Sequence, residues 1–296
     1  MAKPSIRQGK TAVINIGSNS VKLLIPDLGR FGYRNVITSR LAANSTNEGK
    51  TLDLGSVERT FGALKKLKED ARSKGALNIH VYATEALRKA DNKRLLTDRI
   101  RDELMLETDI ISGEQEAKIA ALGASLSFPS HDAFADIGGA STEIALKRSG
   151  ELLCSSFSVG AVRLNEIGTD IYRLKQRAAA AIETNGTTKH IVGIGGTFSA
   201  LACVSLDLSV FDASAVHGTI ISVEELDRLR EILQPLEAEE TARRFPALKL
   251  SRAQVIKAGL AIALAVTEKL NADDITVSMD DGLKGYAMFI EENGHI

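Results

Sequence analysis

The chain has 296 residues, 44% of them hydrophobic and 25% charged, with a formal net charge of -1. This is ordinary globular composition, and the length suits one large domain or two medium ones. Without a basic surplus the chain does not read as a general nucleic-acid binder, so any anionic ligand must be held by local groups. Cys154 and Cys203 lack metal-ligand spacing and are expected to be buried thiols in a reducing compartment. The N-terminus, MAKPSIRQGK, is polar and basic, and the apolar run after it, 12–16, is too short for a signal peptide or membrane span. A soluble, cytoplasmic protein is expected.

In chain order, the first strong signal is an internal repeat. Asn15-Ile-Gly-Ser-Asn-Ser-Val-Lys-Leu-Leu-Ile25 resembles Asp136-Ile-Gly-Gly-Ala-Ser-Thr-Glu-Ile-Ala-Leu146, at an offset of 121 residues (15 to 136). Each copy reads as an apolar strand, a Gly/Ser turn and a second strand. After the first copy the sequence predicts a strand at 35–38 and a helix over 56–74. Val57, Phe61, Leu64, Leu67 and Ala71 recur there at helical spacing, and Gly75 ends the run. A strand at 79–83, a helix near 92–104 and a strand at 108–111 follow. Ser112-Gly-Glu-Gln115 matches a capping box and so opens a helix. After the second copy a strand is predicted near 152–158, a helix from about Ala161, and a strand at 190–194 entering the Gly195-Gly196-Thr197 turn and another helix. Later helices are placed at 223–233 and 252–270, with a last strand near 275–278. The stretch 125–131 reads as the domain boundary. The pattern is that of a duplicated α/β unit.

Paired Gly/Ser turns suit phosphate binding. Glycine lets backbone approach closely, successive N–H groups can cradle an anion, and hydroxyls add donors. Each turn follows Asp or Asn at a strand end, and a carboxylate beside a phosphate loop is what a hard cation needs.

Seven segments then carry a resemblance to a known family. They are Ile14-Asn-Ile-Gly-Ser-Asn-Ser-Val-Lys-Leu23, Ala83-Thr-Glu-Ala-Leu-Arg-Lys-Ala-Asp-Asn92, Ile111-Ser-Gly-Glu-Gln-Glu-Ala-Lys118, Asp136-Ile-Gly-Gly-Ala-Ser-Thr-Glu143, Val159-Gly-Ala-Val-Arg-Leu164, Gly193-Ile-Gly-Gly-Thr197 and Arg252-Ala-Gln-Val-Ile256. In order and spacing they resemble the exopolyphosphatase and guanosine pentaphosphate phosphohydrolase family of the actin-like ATPase superfamily. The resemblance implies two RNase H-like α/β domains with an interdomain cleft. The first covers 1–124 with 287–296 returning to it, and the second covers 125–286. It implies metal-assisted release of terminal orthophosphate from polyphosphate, or from pppGpp. Glu116 corresponds to the catalytic base and Arg88 to the phosphate-binding arginine, whose planar fork suits phosphate. Gly17, Ser18, Asn19 and Ser20, with Gly138, Gly139, Ala140 and Ser141, correspond to the phosphate loops. Gly195, Gly196 and Thr197 form a third loop. Asp136, Glu143 and Asn15 correspond to the ligands of Mg2+ or another divalent cation. The implied partners are polyphosphate or pppGpp, with no DNA and no membrane, and a homodimer is left open. Arg163 is either structural or functional. His217 is expected to pack or hydrogen-bond. Arg243, Arg244, Lys249, Arg252 and Lys257 are expected to form a solvated helix face.

The chain departs from the family pattern in three places. Asn15 stands where aspartate is usual, so weaker metal binding is expected. Ala140 replaces the third glycine of its loop, where a Cβ is expected to narrow the anion cradle. Gly282-Leu-Lys-Gly-Tyr286 stands where relatives read Gly-Leu-Arg-Glu-Gly, so an arginine-glutamate pair near the domain junction is not expected; the C-terminal helical extension of longer relatives does not follow, so strong processivity is not expected. Two rival readings stand beside the hydrolase. One is a catalytically weak or inactive homologue that binds polyphosphate or a guanosine nucleotide as a sensor, and the other is a phosphotransferase.

Overall fold

The structure is a computed structural model, and it describes residues 10–26, 31–45, 50–184 and 186–293. Most of the basic N-terminal stretch and the end of the predicted 287–296 segment lie outside the described residues. By its internal contacts the chain divides into unit 1, Met1–Ile110 with Ile290–Ile296, and unit 2, Ile111–Phe289.

Unit 1 holds strands β1 (Lys10–Ile16), β2 (Ser20–Ile25) and β3 (Tyr33–Thr38), helix α1 (Leu54–Ser73), strand β4 (Ala76–Ala83), helices α2 (Glu85–Lys89) and α3 (Arg94–Leu104), and strand β5 (Thr108–Ile110). Its sheet order is β3-β2-β1-β4-β5. The first three strands are antiparallel, and β4 and β5 join in parallel. Parallel joins need a crossover, which here is α1 for β1 to β4. The five apolar positions read for α1 are all buried against the sheet. Asp53 accepts the Ser56 N–H and caps that helix.

Unit 2 begins with α4 (Gly113–Ser125), then β6 (Ala133–Ile137), β7 (Thr142–Arg148), β8 (Glu151–Phe157), α5 (Ala161–Asn165) and α6 (Ile171–Ala181). It continues through β9 (His190–Ile194), α7 (Gly196–Ser205), α8 (Ala213–Val216), β10 (Ile220–Ser222), α9 (Val223–Leu233), α10 (Ala238–Arg244), α11 (Leu250–Ala253), α12 (Ile256–Leu270), β11 (Asp274–Ser278) and α13 (Gly282–Asn293). Its sheet order is β10-β11-β9-β6-β7-β8. Read from the other edge, β8-β7-β6-β9-β11 repeats the order of unit 1, with the same antiparallel hairpins and parallel joins. The duplication seen in the sequence is therefore a duplication of topology.

Three differences from the expected elements have local causes. The helix read from Ala161 is two helices, because Gly168, at φ 151°, breaks the run. The helix read over 252–270 is also two, interrupted at Val255, whose φ and ψ of -117° and 1° are not helical. The division by contacts falls after Ile110, not within 125–131. α4 turns Ala117, Ala120, Ala121 and Ala124 onto Phe134, Ala145, Val192 and Ile194 of the second sheet. Small side chains let the helix lie close to the strands, which ties α4 to unit 2.

Candidate active site

The second hairpin sets up the chemistry of unit 2. Asp136 and Glu143 lie directly opposite each other on β6 and β7. Like charges at such a cross-strand position repel. Glu143 is only 2% exposed. Burial first, then the charges of Glu116 and Asp136, hold the Glu143 carboxyl well above the usual carboxylate range, while hydrogen bonds from Ser156 and Ser141 oppose this. The Ser156 hydroxyl donates to Glu143 Oε1 at 2.7 Å.

Glu116 joins these two carboxylates through the start of α4. The capping box read from the sequence is present. Ser112 Oγ accepts the Gln115 N–H, and Gln115 returns a bond to the Ser112 N–H. Glu116 N–H then bonds the Ser112 carbonyl at 2.9 Å. Glu116 is half-buried one residue before the alanine face that meets the sheet.

The turn after β9 closes another side of this cluster. Gly195 has φ 89°, and a Cβ there would stand 2.6 Å from Asp136 Oδ1, so this position calls for glycine twice over. A Cβ on Gly196 would overlap the guanidinium of Arg252. Arg252 therefore lies over the turn rather than on a solvated helix face, which corrects the expectation for it. Burial pulls its pKa below the usual range, and the Asp136 carboxylate opposes that. Lys257 of the same basic string is also buried, and its ammonium donates to the Gln234 carbonyl at 2.9 Å. Arg243, Arg244 and Lys249 are exposed, as expected. Thr197 Oγ1 donates to the Ile137 carbonyl at 3.1 Å and so ties the head of α7 to β6.

The two Gly/Ser turns share one closure. Gly17 N–H bonds the Ser20 carbonyl at 3.1 Å, and Gly138 N–H bonds the Ser141 carbonyl at 2.9 Å. No residue in 17–20 or 138–141 has positive φ, so neither turn contains the left-handed residue of an alternating anion nest. For the same reason Ala140 fits without backbone strain, and its φ needs no glycine. Gly160 accommodates it, since a Cβ there would overlap the Gly139–Ala140 backbone. Arg163 N–H, in α5, bonds the Gly139 carbonyl at 3.2 Å.

In unit 1, Asn15 and Lys22 stand opposite each other at the positions that Asp136 and Glu143 hold in unit 2. Asn15, Ser18 and Ser20 are buried. Arg88 sits at the end of α2, 2.8 Å from Glu85, and Lys89 lies 2.6 Å from the same carboxylate. Burial raises the pKa of Glu85, but hydrogen bonds and charges from Lys89 and Arg88 outweigh it and hold the carboxyl below its ordinary value. Sequence reasoning passed over Glu85, although its i,i+3 and i,i+4 spacing to Arg88 and Lys89 was visible. His217 behaves as expected. Its Nδ1 accepts the Met279 N–H at 3.1 Å, and its ring tilts against Phe128. Cys203 is buried and its thiol is pushed up to about 11, whereas Cys154 is half-buried.

Among the described residues, no three His, Cys, Asp or Glu side chains form a group able to hold a metal by themselves. Asp136 and Glu143 fit a hard cation as part of a shell, with water and phosphate oxygens as the remainder, which is the usual manner of magnesium. No helix among the described residues is long and apolar enough to cross a membrane.

The two units thus repeat one sheet order, and one of the two hairpins carries the facing carboxylates Asp136 and Glu143. The profile of the Ppx/GppA phosphatase family matches residues 33–285, and the chain belongs to that family. It is 26% identical to exopolyphosphatase 2 of Mycobacterium tuberculosis, over 94% of this chain and 98% of that one. It is 30% identical to the guanosine-5'-triphosphate,3'-diphosphate pyrophosphatase of Aeromonas salmonicida, over 90% of this chain but 56% of that one. It spans 46% of the bifunctional 3-dehydroquinate synthase/phosphatase of Fusobacterium nucleatum. Among solved structures, the Ppx/GppA enzyme of Aquifex aeolicus aligns with a TM-score of 0.76 at 26% identity, over 95% of this chain and 99% of that one. An exopolyphosphatase of Cytophaga hutchinsonii has the same fold, with a TM-score of 0.85 at 21% identity over 97% and 99% of the two chains.

Proposed function

We propose that the chain hydrolyses terminal phosphoanhydride bonds, releasing orthophosphate from polyphosphate and, less favoured, from pppGpp. The observation that carries this reading is the convergence of Glu116 on the cross-strand pair Asp136 and Glu143. A carboxylate within reach of an attacking water can accept its proton. Glu116 is the base in this reading. Asp136 and Glu143 supply oxygen ligands to a divalent cation, which would neutralise phosphate charge. Arg88 binds substrate phosphate, oriented by its ion pair with buried Glu85. Within unit 2, Arg252, beside Asp136 and the Gly195-Gly196 turn, is a phosphate-binding guanidinium in this reading.

A binding-only sensor draws on one observation, the uncharged Asn15 at the register position of Asp136. Phosphate release from polyphosphates, pppGpp and ATP, each with and without magnesium, separates the readings. Magnesium-dependent release from polyphosphate supports the hydrolase. Binding without release from any of the three would support the sensor.

A further inference from the structure

α4 is held on two sides. One face lies on the second sheet, and the other meets the start of α13 through backbone rather than side chains. A Cβ on Gly123 would overlap the Asp281 carbonyl and come within 2.9 Å of Gly285 N. A Cβ on Gly285 would overlap the Ile119 carbonyl and come within 2.9 Å of Gly123 N. No other residue type fits at either position without moving one helix. Below this contact, Ser127 Oγ, just past the end of α4, donates to Asp280 Oδ2 at 2.6 Å. Asp280 is 2% exposed, and its other oxygen accepts from Lys284 Nζ at 2.7 Å. The Asp281 carbonyl in turn accepts the N–H groups of Lys284 and Gly285, so it belongs to both the first turn of α13 and the contact with Gly123.

We propose that this clamp, formed by Gly123, Gly285 and the Ser127–Asp280–Lys284 bonds, is a positioning device for Glu116; it rests on the reading of Glu116 as base. Glu116 lies seven residues before Gly123, about 10 Å along a rigid helix. The alanine face fixes the height of α4 above the sheet, and the clamp fixes its sideways position and its roll. A Cβ at either glycine forces the helices apart, and the displacement carries along α4 to the Glu116 carboxylate. Misplacing a catalytic group by about 1 Å can cost roughly 100-fold in rate. None of the clamp residues belongs to the phosphate, base or cation positions of the proposed function, so the expected effect is on turnover and not on binding.

Steady-state phosphate release should be measured for Ser127→Ala, Asp280→Asn, Gly123→Ala and Gly285→Ala, each alone and combined with Glu116→Gln. Circular dichroism and melting should confirm that each variant is folded. The glycine variants are expected to lower kcat about 10- to 100-fold, and Ser127→Ala about 3- to 10-fold, with KM within about 2-fold of wild type. Combined with Glu116→Gln, the clamp variants should add almost no further loss, because the group they position is already gone. Should the glycine variants not fold, Ser127→Ala and Asp280→Asn carry the same test. Full kcat in the folded clamp variants, or a loss equally large with and without Glu116, overturns the clamp while leaving the base in place. Full turnover in Glu116→Gln alone overturns the base and the clamp with it.

Discussion

Glu116, Asp136 and Glu143 come from a helix start and two strands; their places were legible from local signals, and their roles only from the family resemblance. The capping box placed Glu116 in the first turn of α4, and the repeat placed Asp136 and Glu143 at strand positions seven residues apart. Glu116→Gln is expected to reduce turnover by about 10²–10⁴-fold while substrate binding persists, measured by phosphate release and equilibrium binding. Arg252 was misread because charge along a helix says nothing of what lies opposite. Only the fold brings Gly196 against its guanidinium. Glu85 carries a second prediction. Its folded pKa lies below the ordinary value of 4.5, so it contributes stability above that pH and loses it as pH falls through the folded pKa. Glu85→Gln lacks this contribution. The melting temperature of wild type should therefore exceed that of the variant near neutral pH, and the gap should shrink as pH drops below about 4.5. A gap that holds constant with pH would show that Glu85 does not act through its charge.

At the scale of elements, local sequence signals worked where a side chain or a period decides the outcome. The α1 apolar face, the Ser112 cap and the β6–β7 hairpin were read in place. Helix breaks at Gly168 and Val255, and the attachment of α4 to the second sheet, depend on packing and were not visible. Ser112→Ala should cost about 1 kcal/mol of unfolding free energy, read by chemical denaturation, since it removes the cap of a helix held in unit 2. The hairpin gives a sharper expectation. The raised folded pKa of Glu143 means that stability is fully present at low pH and is lost as pH rises through that pKa. Glu143→Gln should then raise the melting temperature near neutral pH. If Glu143 is a cation ligand, magnesium should raise the melting temperature of wild type and have little effect on the variant, because binding to the native state stabilises it by mass action. An equal magnesium response in both proteins would remove Glu143 from the ligand set.

Across the whole molecule, the two units repeat one topology but not one chemistry. The same register that sets Asp136 opposite Glu143 sets Asn15 opposite Lys22, so the formal charge of the pair goes from -2 to +1 between copies. The repeat was plain from the sequence because strand, turn and strand recur in order. Its consequence was not, because pairing across a hairpin is fixed by register and not by composition. An amide keeps one oxygen for a cation but has lost the charge, and in oxygen sites affinity rises with ligand charge count. Asn15→Asp is therefore expected to lower the magnesium concentration needed for half-maximal phosphate release. The neighbouring Lys22 bears on the size of the effect. A new carboxylate opposite an ammonium gains a partner within its own hairpin, which offsets part of its pull on a cation. Asn15→Asp with Lys22→Gln should thus give the larger shift in magnesium requirement. Activity titrated against magnesium in wild type, the single variant and the pair tests this ordering. An unchanged requirement in both variants, with unchanged melting curves, would show that position 15 takes no part in holding the cation.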